Sequence, residues 1–261
     1  LPVTRISLEL TNLCRKGCAF CYNASDPRGG TTWTDDDIVA LASDCARHGV
    51  TAISLGGGEP LEYPGLFAVL DRLRGVLART LTTHGLLLDD PTLARLALAA
   101  PEKVHVSIHQ PARLHEVHRV IATVRALADR GVPSGINLLV ARSQLAAATT
   151  AAALIHDAGI DATRIVYLPM RGHDTPTAED LARVAGGPRF QSMTCLLRCA
   201  ASPRFCAIGW DRGVAWCSYT RARARLHAPT HAALTAALTD LGLTHCGEPE
   251  ALPRPRLTIL A

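Results

Sequence analysis

Six short apolar runs, separated by helix-length segments, most narrow what this 261-residue chain can fold into. The runs are residues 5–10, 51–55, 80–83, 103–109, 135–141 and 164–168. Thr34, with Asp37 three residues on, opens a helix that Gly49 closes. A second helix covers about residues 64–77. Asp90-Pro91 caps a third through Ala99. Two more end at Gly131 and Gly159. Strands that alternate with helices imply a parallel sheet. A flat, doubly wound sheet buries both faces of its strands and reads as near-continuous apolar runs. Here the first, fourth and fifth runs alternate instead. Ile6, Leu8 and Leu10 oppose Ser7 and Glu9. Val104, Val106 and Ile108 oppose His105, Ser107 and His109. Asn137 opposes Ile136, Leu138 and Val140. One apolar and one polar face per strand fits an open barrel with a polar lumen. The expected fold class is α/β, a partial (β/α)6 barrel over residues 1–187. A small cysteine-rich extension follows over residues 188–261.

The chemistry centres on Cys14-Arg15-Lys16-Gly17-Cys18-Ala19-Phe20-Cys21, directly after the first strand. Three thiols on one loop can hold three irons of a cube and leave the fourth open to a chelating small molecule. A structural zinc site wants a fourth ligand, which the loop lacks. Disulfides fit poorly with nine cysteines and no visible secretory segment. A second motif, Gly56-Gly57-Gly58-Glu59-Pro60, ends the second strand. Its glycines permit close backbone approach, and its glutamate supplies a carboxylate. Both motifs lie at C-terminal strand ends, where α/β barrels place their chemistry.

The cysteine spacing, with an aromatic before the last Cys and the Gly-Gly-Glu run one βα unit later, resembles the radical S-adenosylmethionine (SAM) superfamily. The resemblance covers about residues 3–172. It implies a partial barrel and a 4Fe–4S cluster on Cys14, Cys18 and Cys21. SAM would be cleaved there to a 5′-deoxyadenosyl radical that abstracts hydrogen from a substrate. It further implies that Gly57, Gly58 and Glu59 hold the methionine moiety and that Phe20 packs near the adenine. Thr83, Ser107 and Asn137 would reach the carboxylate or ribose, and Leu168 the adenine. His109 stands where related enzymes often carry Asp; it is either a packing residue or catalytic. Glu9, on the lumen face, is either a substrate contact or the partner of a lumen cation.

Beyond Gly187 come Cys195, Cys199, Cys206, Cys217 and Cys246. Residues 206–217 read as a hairpin with a thiol at each end. They resemble the front half of the SPASM or twitch extensions that hold an auxiliary cluster. The later SPASM cysteines are missing, so one auxiliary 4Fe–4S cluster is expected, on Cys195, Cys206, Cys217 and Cys246. Cys199 can replace one of these ligands, or stay free as a hydrogen donor. A zinc knuckle with buried thiols is the alternative. Cys45, in mid-helix, reads as core packing.

A net charge of +4 gives no reason to expect nucleic acid. No apolar run is long enough to span a membrane, and unpaired thiols suit the cytoplasm. The expected partners are a peptide or small-molecule substrate and an electron donor such as flavodoxin or ferredoxin. The reaction expected first is oxidative modification, such as cross-linking, of a ribosomally made peptide. Dehydrogenation or epimerisation of a carbinol or sugar-like substrate is the alternative enzyme reading. An iron–sulfur redox sensor is the non-enzyme reading, against which the Gly-rich SAM motif argues.

Overall fold

The computed structural model describes residues 3–187, 196, 203–220 and 222–241. Cys195, Cys199 and Cys246 lie outside the described residues. In chain order the elements are β1 (Arg5–Thr11), α1 (Asp35–Arg47), β2 (Ala52–Gly57), α2 (Leu66–Arg72), β3 (Ala78–Thr83), α3 (Asp90–Ala99), β4 (Lys103–Ile108), α4 (Leu114–Asp129), β5 (Ser134–Val140), α5 (Leu145–Asp157), β6 (Ile165–Pro169), α6 (Ala178–Ala185), β7 (Phe205–Ile208), β8 (Gly213–Ala215), β9 (Ala224–Arg225) and α7 (His231–Leu241). The chain forms two compact units, Leu1–Leu81 with Ala201–Ala261, and Thr82–Ala200.

In the first unit β2 pairs in parallel with both β1 and β3. The free edge of β1 takes β7, also in parallel, with Ile6 opposite Cys206. The antiparallel strands β8 and β9 follow. The hairpin expected in the extension is thus built onto the first barrel strand. Its turn is tied to the start of α1. Trp33 donates from its indole to Gly209 O (3.0 Å), and Arg212 bonds Asp37 and Thr32 O. The Arg212 guanidinium lies 4.8 Å from the Trp33 ring centroid.

In the second unit β4, β5 and β6 pair in parallel, with Ser107 opposite Asn137 and Leu139 opposite Leu168. The predicted alternation holds on the apolar side. Val104, Val106, Ile108, Ile136, Leu138 and Val140 are fully buried, as are Val117, Val120, Val124 and Leu127 of α4. Each such side chain removed from water contributes about 1.5–3 kcal/mol. That is enough for the alternating pattern to set strand register.

Thr34 caps α1, its hydroxyl accepting from Asp37 N at 3.1 Å. The third helix is capped one residue earlier than expected. Asp89 accepts from Thr92 N, and Asp90 is already helical, beside Pro91. The second helix ends at Arg72, short of the expected 77. The Leu73 N–H bonds back to Asp71 O and Val69 O, and Val76 N–H to Leu73 O, so the last turns leave the α pattern. No helix among the described residues is long and apolar enough to cross a membrane.

Candidate active site

The three-cysteine loop leaves β1 at Thr11, whose hydroxyl accepts from Leu13 N at 2.9 Å. Asp26 then folds the loop back. Cys14 N donates to Asp26 O and Asp26 N to Asn12 O. Turns within the loop bring Gly17 N to Cys14 O (3.2 Å) and Cys21 N to Cys18 O (3.0 Å). Gly17 sits at φ +56°, where a side chain is strained. Cys14 is buried, while Cys18 and Cys21 are half-buried.

The two motifs are clasped backbone to backbone. Gly58 N donates to Thr11 O at 2.6 Å, and Glu59 N to Leu13 O at 2.8 Å. A Cβ on Gly58 would stand 2.2 Å from Leu13 O, and one on Gly57, at φ +109°, 2.5 Å from Thr11 O. These glycines are needed for the approach of β2 to the cysteine loop before any ligand is considered. The Glu59 carboxylate is buried and accepts from Leu61 N at 3.1 Å, capping the turn Pro60–Glu62. It lies close enough to Cys14 to act on it. Burial pushes the Cys14 thiol up, and the charges of Glu59 and Glu62 add to that shift. Three soft thiols around one turn fit three irons of a 4Fe–4S cluster, and an adjacent buried carboxylate fits an ammonium. Phe20 is half-buried in the same loop.

Glu9 is 5% exposed at the end of β1. Burial raises its carboxyl above the usual range. Arg223 and the Trp210 backbone N–H oppose the shift, and the Asn23 side chain adds a weaker hydrogen bond. Beside Glu9, Tyr22, next to Cys21, meets Tyr219 with ring centroids 5.4 Å apart.

In the second unit Ser107 and Asn137 are buried register partners on one sheet face. Half-buried Leu168 shares that face through Leu139. His105, two residues before Ser107, rests against Gly135. Its Nε2 has no hydrogen-bond partner among the described residues. Burial, with Lys103 nearby, pulls its pKa down to about 4. Thr83 ends β3. Alternation places it with buried Arg79 and Leu81. Its hydroxyl accepts from Gly85 N at 2.9 Å and shapes the turn. Thr82 is the hydroxyl on the face of Thr80.

His109 follows β4 and is anchored by a residue that sequence reading missed. The Glu116 carboxylate accepts from His109 N at 3.0 Å and lies 3.9 Å from its Nδ1. Glu116 is 5% exposed and sits on the buried stripe of α4 with Val120 and Val124. A carboxylate on an apolar helical stripe was the available signal.

Cys206 corrects an expectation. In register with Ile6, it is fully buried, and burial, with Cys45 adding, pushes its thiol up. Strand alternation places Cys206 on the face of Ile6, while Cys217 lies past the end of β8, in a bend that leads into a turn. Cys217 is half-buried after β8. Cys45 is core, as expected, its pKa raised to about 12 by burial.

The family model described as the radical SAM superfamily matches residues 8–184. A probable GTP 3′,8-cyclase of Saccharolobus solfataricus is 25% identical over 178 residues, covering 64% of this chain and 58% of that protein. The PqqA peptide cyclase of Gluconobacter oxydans is 27% identical over 199 residues, covering 69% and 54%. The chain thus spans somewhat more than half the length of these relatives. Among solved structures, Streptococcus suis SuiB bound to S-adenosylmethionine superposes with TM-score 0.66 at 15% identity, over 82% of this chain and 60% of that one. The complex of anSMEcpe with AdoMet and the Cp18Cys peptide gives 0.63 at 13%, over 88% and 80%. These likenesses show the fold, a partial (β/α)6 barrel.

Proposed function

The chain belongs to the radical SAM superfamily, and from that premise we propose that it oxidatively modifies a ribosomally made peptide. The observation that carries the reading is the clasp between Thr11–Leu13 and Gly58–Glu59, which sets a buried carboxylate beside a three-thiol loop. A peptide substrate is supported by the PqqA peptide cyclase relative and by two similar folds bound to peptides, SuiB with its precursor SuiA and anSMEcpe with Cp18Cys.

When bound and reduced, a 4Fe–4S cluster supplies the electron that cleaves SAM and so starts hydrogen abstraction. Cys14, Cys18 and Cys21 hold the cluster in this reading. Glu59 binds the ammonium of SAM through a charge-assisted hydrogen bond, and Gly57 and Gly58 let the backbone reach the methionine moiety. Phe20, Ser107, Asn137 and Leu168 are the proposed contacts to the rest of SAM, and His109 is the proposed catalytic residue. The electron donor is a flavodoxin or ferredoxin of the cytoplasm.

An auxiliary 4Fe–4S cluster is the proposed electron acceptor. With Cys206 in the core, its ligands become Cys195, Cys199, Cys217 and Cys246. That assignment leaves only Cys206, fully buried, as a spare C-terminal thiol, which favours oxidation over epimerisation. The second reading, a small-molecule substrate, is favoured by the GTP 3′,8-cyclase relatives.

The test is anaerobic turnover of the reconstituted, reduced protein with a pool of synthetic peptides. The expected result is 5′-deoxyadenosine together with a peptide two hydrogens lighter, and no solvent deuterium at carbon. Deuterium incorporation without mass loss would instead establish an epimerase.

A further inference from the structure

The carboxylate on the apolar stripe of α4 is held against the end of β4. Glu116 Oε1 takes the His109 backbone N–H at 3.0 Å and lies 3.9 Å from His109 Nδ1. One turn on, Arg119 feels the same charge. Burial lowers its guanidinium pKa, and Glu116 opposes that shift. Arg119 Nη2 itself donates to His84 O at 3.2 Å, in the turn after β3. Glu116 also occupies the first turn of α4, where unpaired backbone N–H groups favour an anion. A carboxylate this buried persists as an anion only with such partners.

We propose that Glu116 is the positioning residue for His109, fixing its backbone and holding its imidazole as a proton acceptor at the C-terminal end of β4. The proposal rests on the oxidative reading above. In that reaction the substrate C–H bond breaks first, its hydrogen atom going to the 5′-deoxyadenosyl carbon. The carbon radical then loses one electron to an iron–sulfur acceptor. The X–H bond of an adjacent heteroatom breaks, its proton passes to the imidazole, and a C=X bond forms. An anionic neighbour raises proton affinity and stabilises the imidazolium that results. Glu116 is the charged group that faces His109 at 3.9 Å, and Arg119 lies one turn further along α4.

The experiment uses the reconstituted full chain and reads His109 protonation by residue-resolved diethyl pyrocarbonate labelling against pH. Glu116→Gln retains an acceptor for the His109 N–H but removes the charge. It is expected to lower the His109 midpoint by about one unit, roughly tenfold in proton affinity. Glu116→Asp, which keeps the charge one methylene further away, is expected to fall between the two. A midpoint that does not move in Glu116→Gln overturns the proposal, as does a Glu116→Asp midpoint no higher than that of Glu116→Gln. The parent is assayed in parallel for 5′-deoxyadenosine. Its absence would refute the SAM reading while leaving the carboxylate–imidazole pair standing.

Discussion

Ile6 on β1 stands in parallel register with Cys206 on β7, and that pairing decides where the Cys206 thiol lies. Parallel partners point to the same side of a sheet. Ile6 is fully buried, so Cys206 is too, with Cys45 of α1 close by. Cys206 therefore packs in the core.

Metal content separates the two roles. The parent is expected to bind about eight irons per chain, as two 4Fe–4S cubes. Replacing Cys14, Cys18 and Cys21 together by Ala removes about half, and Cys217→Ala also removes about half. Cys206→Ala keeps the iron and lowers stability by about 1–2 kcal/mol through a small cavity. Iron and sulfide analysis with thermal unfolding checks this; four irons in the parent would end the auxiliary-cluster proposal.

Glu59→Gln exchanges a charge-assisted hydrogen bond to the SAM ammonium for a neutral one. Affinity for SAM is expected to fall by about tenfold, as equilibrium dialysis of the reconstituted protein would read it. Unchanged affinity would place the ammonium elsewhere.

The glycine run makes a structural prediction that involves no ligand. Gly58→Ala would set a Cβ 2.2 Å from Leu13 O, a backbone atom that cannot yield without opening the clasp. Gly56, with nothing within 4 Å of an added Cβ, has room. Gly58→Ala is expected to cost about 2 kcal/mol or more, and Gly56→Ala well under 1 kcal/mol. Equal thermal midpoints for the two variants would refute the clasp.

His105 gives stability a defined acid limb. Its folded pKa of about 4 lies below the unfolded value of 6.5, so the unfolded chain takes up the proton first. Stability is fully present above pH 6.5 and is lost as pH falls towards 4, by about 3 kcal/mol in order of magnitude. His105→Gln, neutral throughout, is expected to flatten that limb. Urea midpoints measured between pH 4 and 7 would show it, and a parallel fall in both proteins would exclude His105 as the cause.

What the sequence determined by itself is what neighbouring residues decide. Strand alternation at Val104–Val106–Ile108, the Thr34 cap, the three-thiol spacing and the Gly-Gly-Glu run each depend on geometry within a few residues. Tertiary structure decided what depends on distant pairing. Glu9 carries no sign in the sequence that Arg223, more than 200 residues away, acts on its buried carboxylate. Glu116 is one carboxylate among many in the sequence, and burial of its stripe sets it beside His109. Cys206 and Cys217 seemed a matched pair because a hairpin brings its ends together. The face that Cys206 takes follows from its register with β1, and a shift of one residue reverses it, whereas Cys217 lies beyond β8.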